Sequence, residues 1–206
     1  MDAIRVLIAD DHAIVRMGLA ALLESDDDIV VVGEAEDGAA AVRKALRLKP
    51  DIVIMDIMMP EMDGIAATKA IKEKLQGTHV LILTTSTVSD DLARAIRAGA
   101  DGIVTKATAN NKLLAAIRSV ASGNRAIPPE VTERIALDPP VKQLTERQLD
   151  ILTSIARGLS NGDIAKQLGI RTDSVCEHLD TIYAKLGAAN RSEAIAIALR
   201  KHLLKI

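Results

Sequence analysis

Polar residues of chosen types stand at the ends of apolar runs in the first half of the chain. Asp10 and Asp11 follow the first run, Asp56 follows the third, Thr84 closes the fourth and Lys106 follows the fifth. Three carboxylates gathered at one crevice repel one another and need a cation. An oxygen-only set of this kind suits Mg²⁺, which keeps several waters and bridges protein carboxylates to phosphate oxygens. Asp56 is then the nucleophile for a phosphoryl group. The Thr84 hydroxyl and the Lys106 ammonium stand where phosphoryl oxygens would lie, and phosphoryl transfer depends mainly on such positioning and charge neutralisation. Taken singly, an acidic pair after a strand is usually a helix N-cap or a solvated turn, the lysine a surface residue and the threonine a strand residue. The functional reading rests on the set.

Those residues need a frame that brings the ends of separate runs together. The β-branched runs Ile4–Ala9, Ile29–Val32, Ile52–Met55, Val80–Leu83 and Gly102–Thr105 alternate with amphipathic stretches of about ten to fifteen residues. Continuous apolar strands separated by helices predict an α/β fold, a doubly wound five-stranded parallel sheet covered on both faces. Sites in such sheets form at the carboxyl ends of the strands. After Gly123 the pattern changes. Pro128, Pro129, Asp138, Pro139 and Pro140 punctuate one helix near Glu130–Leu137. Four further helices are predicted over Glu146–Arg157, Asn161–Leu168, Asp173–Leu186 and Ser192–Leu203, the first three ended by Gly158, Gly169 and Gly187. The expected division is a first domain over 1–122, a helix-bearing linker over 123–142 and an all-α four-helix domain over 143–206.

Hydrophobic residues make up 49% of the 206, ample for two packed cores. With no Phe or Trp and a single Tyr, those cores are built from Ile, Leu, Val, Ala and Met, and base stacking on aromatics is set aside. The net charge of −2 hides an acidic N-terminal part and a C-terminus rich in Arg200, Lys201 and Lys205. No apolar run approaches the roughly 18 residues needed to cross a bilayer, and the first strand runs into Asp10 rather than a cleavage site. Cys176, the one cysteine, makes neither an intrachain disulfide nor a Cys-rich zinc site. The expectation is a soluble cytoplasmic protein without a membrane partner. No glycine loop to cradle phosphates is present, so a free-standing phosphatase or nucleotide enzyme is not expected.

Over its first 120 or so residues the chain resembles the CheY-like, flavodoxin-like receiver domain of two-component response regulators. The resemblance is carried by Asp10-Asp11, by the stretch from Asp56 through Met58, Met59, Pro60, Met62 and Asp63 to Gly64, by Thr84, and by Lys106 preceded by Gly99-Ala100-Asp101-Gly102. It implies that Asp11, Asp56 and the backbone carbonyl of Met58 bind Mg²⁺ directly and that Asp10 contributes through water. It further implies that Asp56 is phosphorylated by a sensor histidine kinase, that Thr84 is the switch hydroxyl and that Lys106 binds the phosphoryl group. Three residues before the lysine the family usually has Tyr or Phe, and here Ile103 stands there. An aromatic toggle cannot operate.

The C-terminal part resembles the LuxR-type helix-turn-helix through Leu144-Thr145-Glu146-Arg147, Gly158-Leu159-Ser160-Asn161, Leu168-Gly169-Ile170, Lys185-Leu186 and Asn190-Arg191-Ser192-Glu193-Ala194. The whole is thus similar to regulators of the NarL/FixJ type. In such a motif the third helix lies in the DNA major groove. The candidate DNA contacts are Ser160, Asn161, Lys166, Arg171, Thr172, Ser174, Val175, Glu177, Lys185 and Arg191, with Arg157 a further basic residue. The basic ones can set position on phosphates. Where relatives favour lysine on the third helix, however, this chain carries Cys176, Glu177 and Asp180, and Arg171 replaces the usual serine before it. Glu177 could still read cytosine N4. Two readings therefore stand: a regulator whose phosphorylation drives homodimerisation and DNA binding to control transcription, or one whose altered helix-turn-helix acts through dimerisation or protein contact. His12 reads as a helix-start residue, His178 as packing, Cys176 as a small filler, the methionines near Asp56 as loop packing, and the apolar stripe Ala194–Leu203 as core or dimer seam.

Overall fold

The computed structural model describes residues 3–86, 88–142 and 144–204. Lys205, counted above with the basic C-terminus, lies outside the described residues. Ten elements alternate first: β1 (Ile4–Ala9), α1 (Ala13–Glu24), β2 (Ile29–Ala35), α2 (Gly38–Leu48), β3 (Ile52–Met55), α3 (Gly64–Lys74), β4 (His79–Thr84), α4 (Ser89–Arg97), β5 (Gly102–Thr105) and α5 (Asn110–Ala121). Five helices follow: α6 (Pro129–Leu137), α7 (Glu146–Ala156), α8 (Asn161–Leu168), α9 (Thr172–Leu186) and α10 (Arg191–Arg200). By contacts the chain groups into two compact units, residues 1–87 with 91–137, and residues 88–90 with 138–206.

In the first unit the strands form one parallel sheet in the order β2-β1-β3-β4-β5. Successive side chains of a strand point to opposite faces. Leu7, Ala9, Val53, Met55, Val80 and Ile82 accordingly pack with α2, α3 and α4, while Val6, Ile8, Ile52, Ile54, Leu81 and Leu83 pack with α1 and α5. Both faces are covered, which is why the strands read as unbroken apolar runs. β2 continues three residues past the expected Val32. The ladder shifts between Val6 and Leu7, and the extended strand then sets Glu34 opposite Ile8 and Ala35 opposite Ala9.

Residues 123–137, expected as linker, group with this first unit. Ala126 donates to the Asp101 carbonyl at 3.0 Å and accepts the Ile103 N–H at 3.0 Å, a short extra rung on the β5 edge. Pro128, lacking an N–H, cannot extend that ladder. α6 instead turns Val131 into the core that holds Ile103.

The second unit packs α7–α10 around Ile151, Leu152, Ile155, Ile164, Val175, Leu179, Ile182 and Ala198. Thr145 with Gln148 and Ser160 with Asp163 form capping boxes at the starts of α7 and α8. Gly169 and Gly187 end α8 and α9 in the left-handed conformation. α10 stops at Arg200 rather than the expected Leu203. His202 takes a φ of 51° and the Leu203 N–H returns to the Ala198 carbonyl at 2.9 Å, a closing turn that brings Leu204 into the core. The apolar stripe past Arg200 is thus packing rather than helix.

Candidate functional site

β1 has β2 on one side and β3 on the other, so the crevice of the doubly wound sheet opens at the carboxyl ends of β1 and β3. Asp10 and Asp11 leave the end of β1, and Asp56 leaves the end of β3. The backbone holds both turns: the Asp10 N–H donates to the Ala35 carbonyl at 3.1 Å and the Asp56 N–H to the Ala9 carbonyl at 2.8 Å. Gly64 permits the second turn, because a Cβ there would stand 1.8 Å from the Asp56 carbonyl oxygen. Asp63 caps α3 through the Ala66 N–H at 2.8 Å.

Lys106 follows β5 with its N–H on the Thr84 carbonyl at 3.0 Å. Its ammonium lies 2.6 Å from Asp10 Oδ2 and 2.7 Å from Asp56 Oδ2. Asp10 and Asp56 are buried, at 1% and 4% exposure, while Asp11 is exposed. Burial pushes the Asp56 carboxyl above its ordinary value, and the Lys106 hydrogen bond and charge only partly oppose that rise. For Lys106 burial works against the charge, yet the carboxylates of Asp10 and Asp56 set against it prevail and hold the ammonium above its ordinary range. Asp10 Oδ2 accepts no hydrogen bond of good geometry and meets Lys106 only as an ion pair.

One ligand atom from each of Asp10, Asp11, His12 and Asp56 lies within 4.8 Å of the others. A cluster of this composition could coordinate a divalent metal, and the buried oxygen of Asp10 without a hydrogen bond fits such an ion. His12, read above as a helix-start residue, does precede α1, and its Nδ1 lies 2.7 Å from Asp11. Its place directly after the acidic pair was the available signal. Thr84 is fully buried and its hydroxyl accepts the Ser86 N–H at 2.9 Å. Met58 is half exposed, with its N–H 3.5 Å from Asp56 Oδ1. Ile103 is buried beneath the sheet's α2–α4 face and tied to Ala126.

Asp101, noticed only as part of a motif, organises the opposite ends of β4 and β5. Its carboxylate accepts the Val80 N–H at 2.8 Å and pairs with Lys72 at 3.0 Å and His79 at 3.3 Å. Burial raises its pKa, but these partners outweigh burial and hold it below the ordinary value. No spacing rule points to such a residue.

On the helix-turn-helix, the candidates divide. Lys166, Arg171, Thr172 and Glu177 are exposed, as are Cys176 and Asp180, and Ser174 is half-buried. Val175 is fully buried in the core and is not on the outer face of α9. The Ser160 hydroxyl is engaged in capping α8. Arg191 spends its guanidinium on the carbonyls of Ile155 at 3.1 Å and Leu159 at 2.6 Å, with Asn161 Oδ1 at 3.5 Å. Lys185 is bound to Gln148 at 2.8 Å. Val175 is thus a core residue in this structure, and Lys185 and Arg191 have partners within the domain, which helix spacing alone does not reveal. Arg171 starts α9 without a side-chain cap, as arginine carries no acceptor for that role.

An acidic crevice with an inserted ammonium, on a doubly wound sheet joined to a helix-turn-helix, is the make-up of a signalling regulator. Residues 6–118 match the response regulator receiver domain, and residues 142–198 match bacterial regulatory proteins of the luxR family. The chain is 40% identical over 210 residues to the transcriptional regulatory protein YdfI of Bacillus subtilis, covering 98% of each protein. It is similar to the crystal structure of response regulator ChrA of a heme-sensing two-component system, at 38% identity and a TM-score of 0.59, over 99% of this chain and 100% of that one. RcsB of Salmonella enterica serovar Typhimurium, solved bound to promoter rprA with the phosphomimetic BeF3-, is 26% identical with a TM-score of 0.66 over 95% and 98% of the chains. The chain therefore belongs to the NarL/FixJ family of response regulators, with a receiver and a LuxR-type helix-turn-helix domain. Among the described residues no helix is long and apolar enough to cross a membrane.

Proposed function

We propose that the chain is a two-component regulator in which Asp56 accepts a phosphoryl group from a sensor histidine kinase, and that phosphorylation drives homodimerisation and DNA binding to control transcription. The receiver is assigned to 1–122, the linker to 123–142 and the DNA-binding domain to 143–206. The observation that carries the reading is the Lys106 ammonium seated between the buried carboxylates of Asp10 and Asp56. Asp11, Asp56 and the Met58 carbonyl would hold Mg²⁺, with Asp10 contributing through water. The ion when bound neutralises phosphoryl oxygens. An Asp56 oxygen attacks phosphorus, the bond from phosphorus to the kinase histidine nitrogen breaks, and that nitrogen keeps the electron pair. Lys106 then leaves its carboxylate partner for the new phosphoryl oxygens, and the Thr84 hydroxyl exchanges the Ser86 N–H for the same group. RcsB, solved on a promoter with a phosphoryl mimic, supports the DNA-binding half of the reading.

Labelling with acetyl phosphate and Mg²⁺ tests it. Wild type is expected to incorporate phosphate and Asp56→Asn to fall to background with its fold intact; undiminished labelling of the variant would overturn the assignment. A second reading, a helix-turn-helix that works through dimerisation or protein contact, is favoured by one observation: Cys176, Glu177 and Asp180 are exposed on α9 while Lys185 and Arg191 are committed to packing. It predicts no footprint at any phosphorylation state.

A further inference from the structure

Arg16 reaches the acidic crevice without pairing with any carboxylate in it. α1 presents it in its first turn, with a side chain 15% exposed. Its Nη1 donates to the Asp10 backbone carbonyl at 2.6 Å, and its Nε donates to Glu34 Oε2 at 3.3 Å. Glu34 lies on the part of β2 beyond the ladder shift, opposite Ile8, and its own carbonyl accepts from Lys44. Asp10 is held on its other sides too, its N–H by the Ala35 carbonyl and its Oδ1 by the His12 N–H at 2.8 Å. What is left over is Oδ2, the oxygen turned to Lys106.

The Asp10 carbonyl belongs to the peptide that joins Asp10 to Asp11. Fixing it fixes the plane from which both carboxylates depart. A guanidinium suits the task because its rigid fork serves two acceptors at once, which a lysine ammonium on a flexible stem does less well. We propose that Arg16, steadied by Glu34, is a positioning residue that sets the Asp10–Asp11 turn for cation binding. This rests on the reading of the crevice as a cation-dependent phosphoacceptor site, and it adds residues that touch neither the ion nor the phosphoryl group. Partners of this outer kind typically govern metal affinity by ten- to a hundredfold (about).

The test is Mn²⁺ binding to the full chain, read from the electron paramagnetic resonance of the free ion, beside thermal melts without cation. Wild type is expected to bind one ion, and Asp11→Ala to lose it. Arg16→Gln should bind about tenfold more weakly while remaining folded, and Arg16→Lys should recover part of that loss. A purely structural role would lower the melting temperature and leave the affinity of the folded protein unchanged. Wild-type affinity in Arg16→Gln therefore overturns the proposal. Should that variant not fold, Glu34→Ala decides: its half-exposed carboxylate is outside the crevice, a weakening of about threefold supports the clamp, and unchanged affinity overturns it. Absence of Mn²⁺ binding by wild type would instead overturn the cation-site reading beneath it.

Discussion

The acidic crevice and the outer face of α9 both carry carboxylates, and they differ in what surrounds them. Asp10 and Asp56 are buried and share one ammonium within 2.7 Å. Asp173, Glu177 and Asp180 stand exposed along α9. Burying a charge costs several kcal/mol unless it is paired, so like charges converge in an interior only where a cation is part of the arrangement. Exposed carboxylates incur almost no such cost and their effect depends on what approaches them. The crevice therefore declares its chemistry within one chain, whereas α9 does so only against a partner.

The largest effect expected is at Lys106. Lys106→Ala leaves Asp10 and Asp56 side by side without their ammonium, and unfolding stability without divalent cation should drop by about 3 kcal/mol. The variant should still accept phosphate but gain neither dimerisation nor DNA affinity. Denaturant unfolding and sedimentation check the two halves; normal activation of the variant would remove the coupling role and with it half of the contrast.

The α9 face can be inverted. Glu177→Lys with Asp180→Lys changes local charge by about four units, and non-specific DNA affinity should rise about tenfold with a steeper salt dependence. A salt series of binding isotherms measures it. Loss of sequence-specific binding in the double variant would mean that these carboxylates read bases, and would make α9 a built site like the crevice.

A smaller effect separates structure from chemistry. Asp101 has a depressed pKa in the folded state, so its contribution is present above the ordinary 3.8 and disappears as pH falls through the lower folded value. Asp101→Asn keeps an acceptor for the Val80 N–H but loses the charge facing Lys72 and His79. It should cost about 1 kcal/mol at neutral pH, and the two proteins should converge once the wild-type carboxyl is protonated. Unfolding curves at neutral and acid pH decide; a constant gap would show that the charge is not the cause.

The parallel sheet and the crevice were legible because both depend on local signals: β-branched runs with two buried faces, and polar residues that interrupt them at their ends. Asp10, Asp56 and Lys106 meet through topology that those runs already imply. β2 escaped at its end because Gly33, Glu34 and Ala35 continue a strand after an irregular step, which no alternation announces. The burial of Val175 and the carbonyl partners of Arg191 were not legible, because a motif marks which helix faces DNA but not which side chains the neighbouring loops engage. The Ala126 rung and the packing of α6 on the first unit were illegible for a related reason: both are contacts between segments distant in sequence, and the prolines marked the helix but not where it docks.

Footprinting on genomic DNA, with wild type and Asp56→Asn each measured before and after acetyl phosphate and Mg²⁺, tests the central claim most directly. Discrete protected sites are predicted that strengthen with phosphorylation in wild type and do not respond in Asp56→Asn. Sites of equal strength in all four samples would contradict control through Asp56, and no sites in any sample would contradict DNA binding itself.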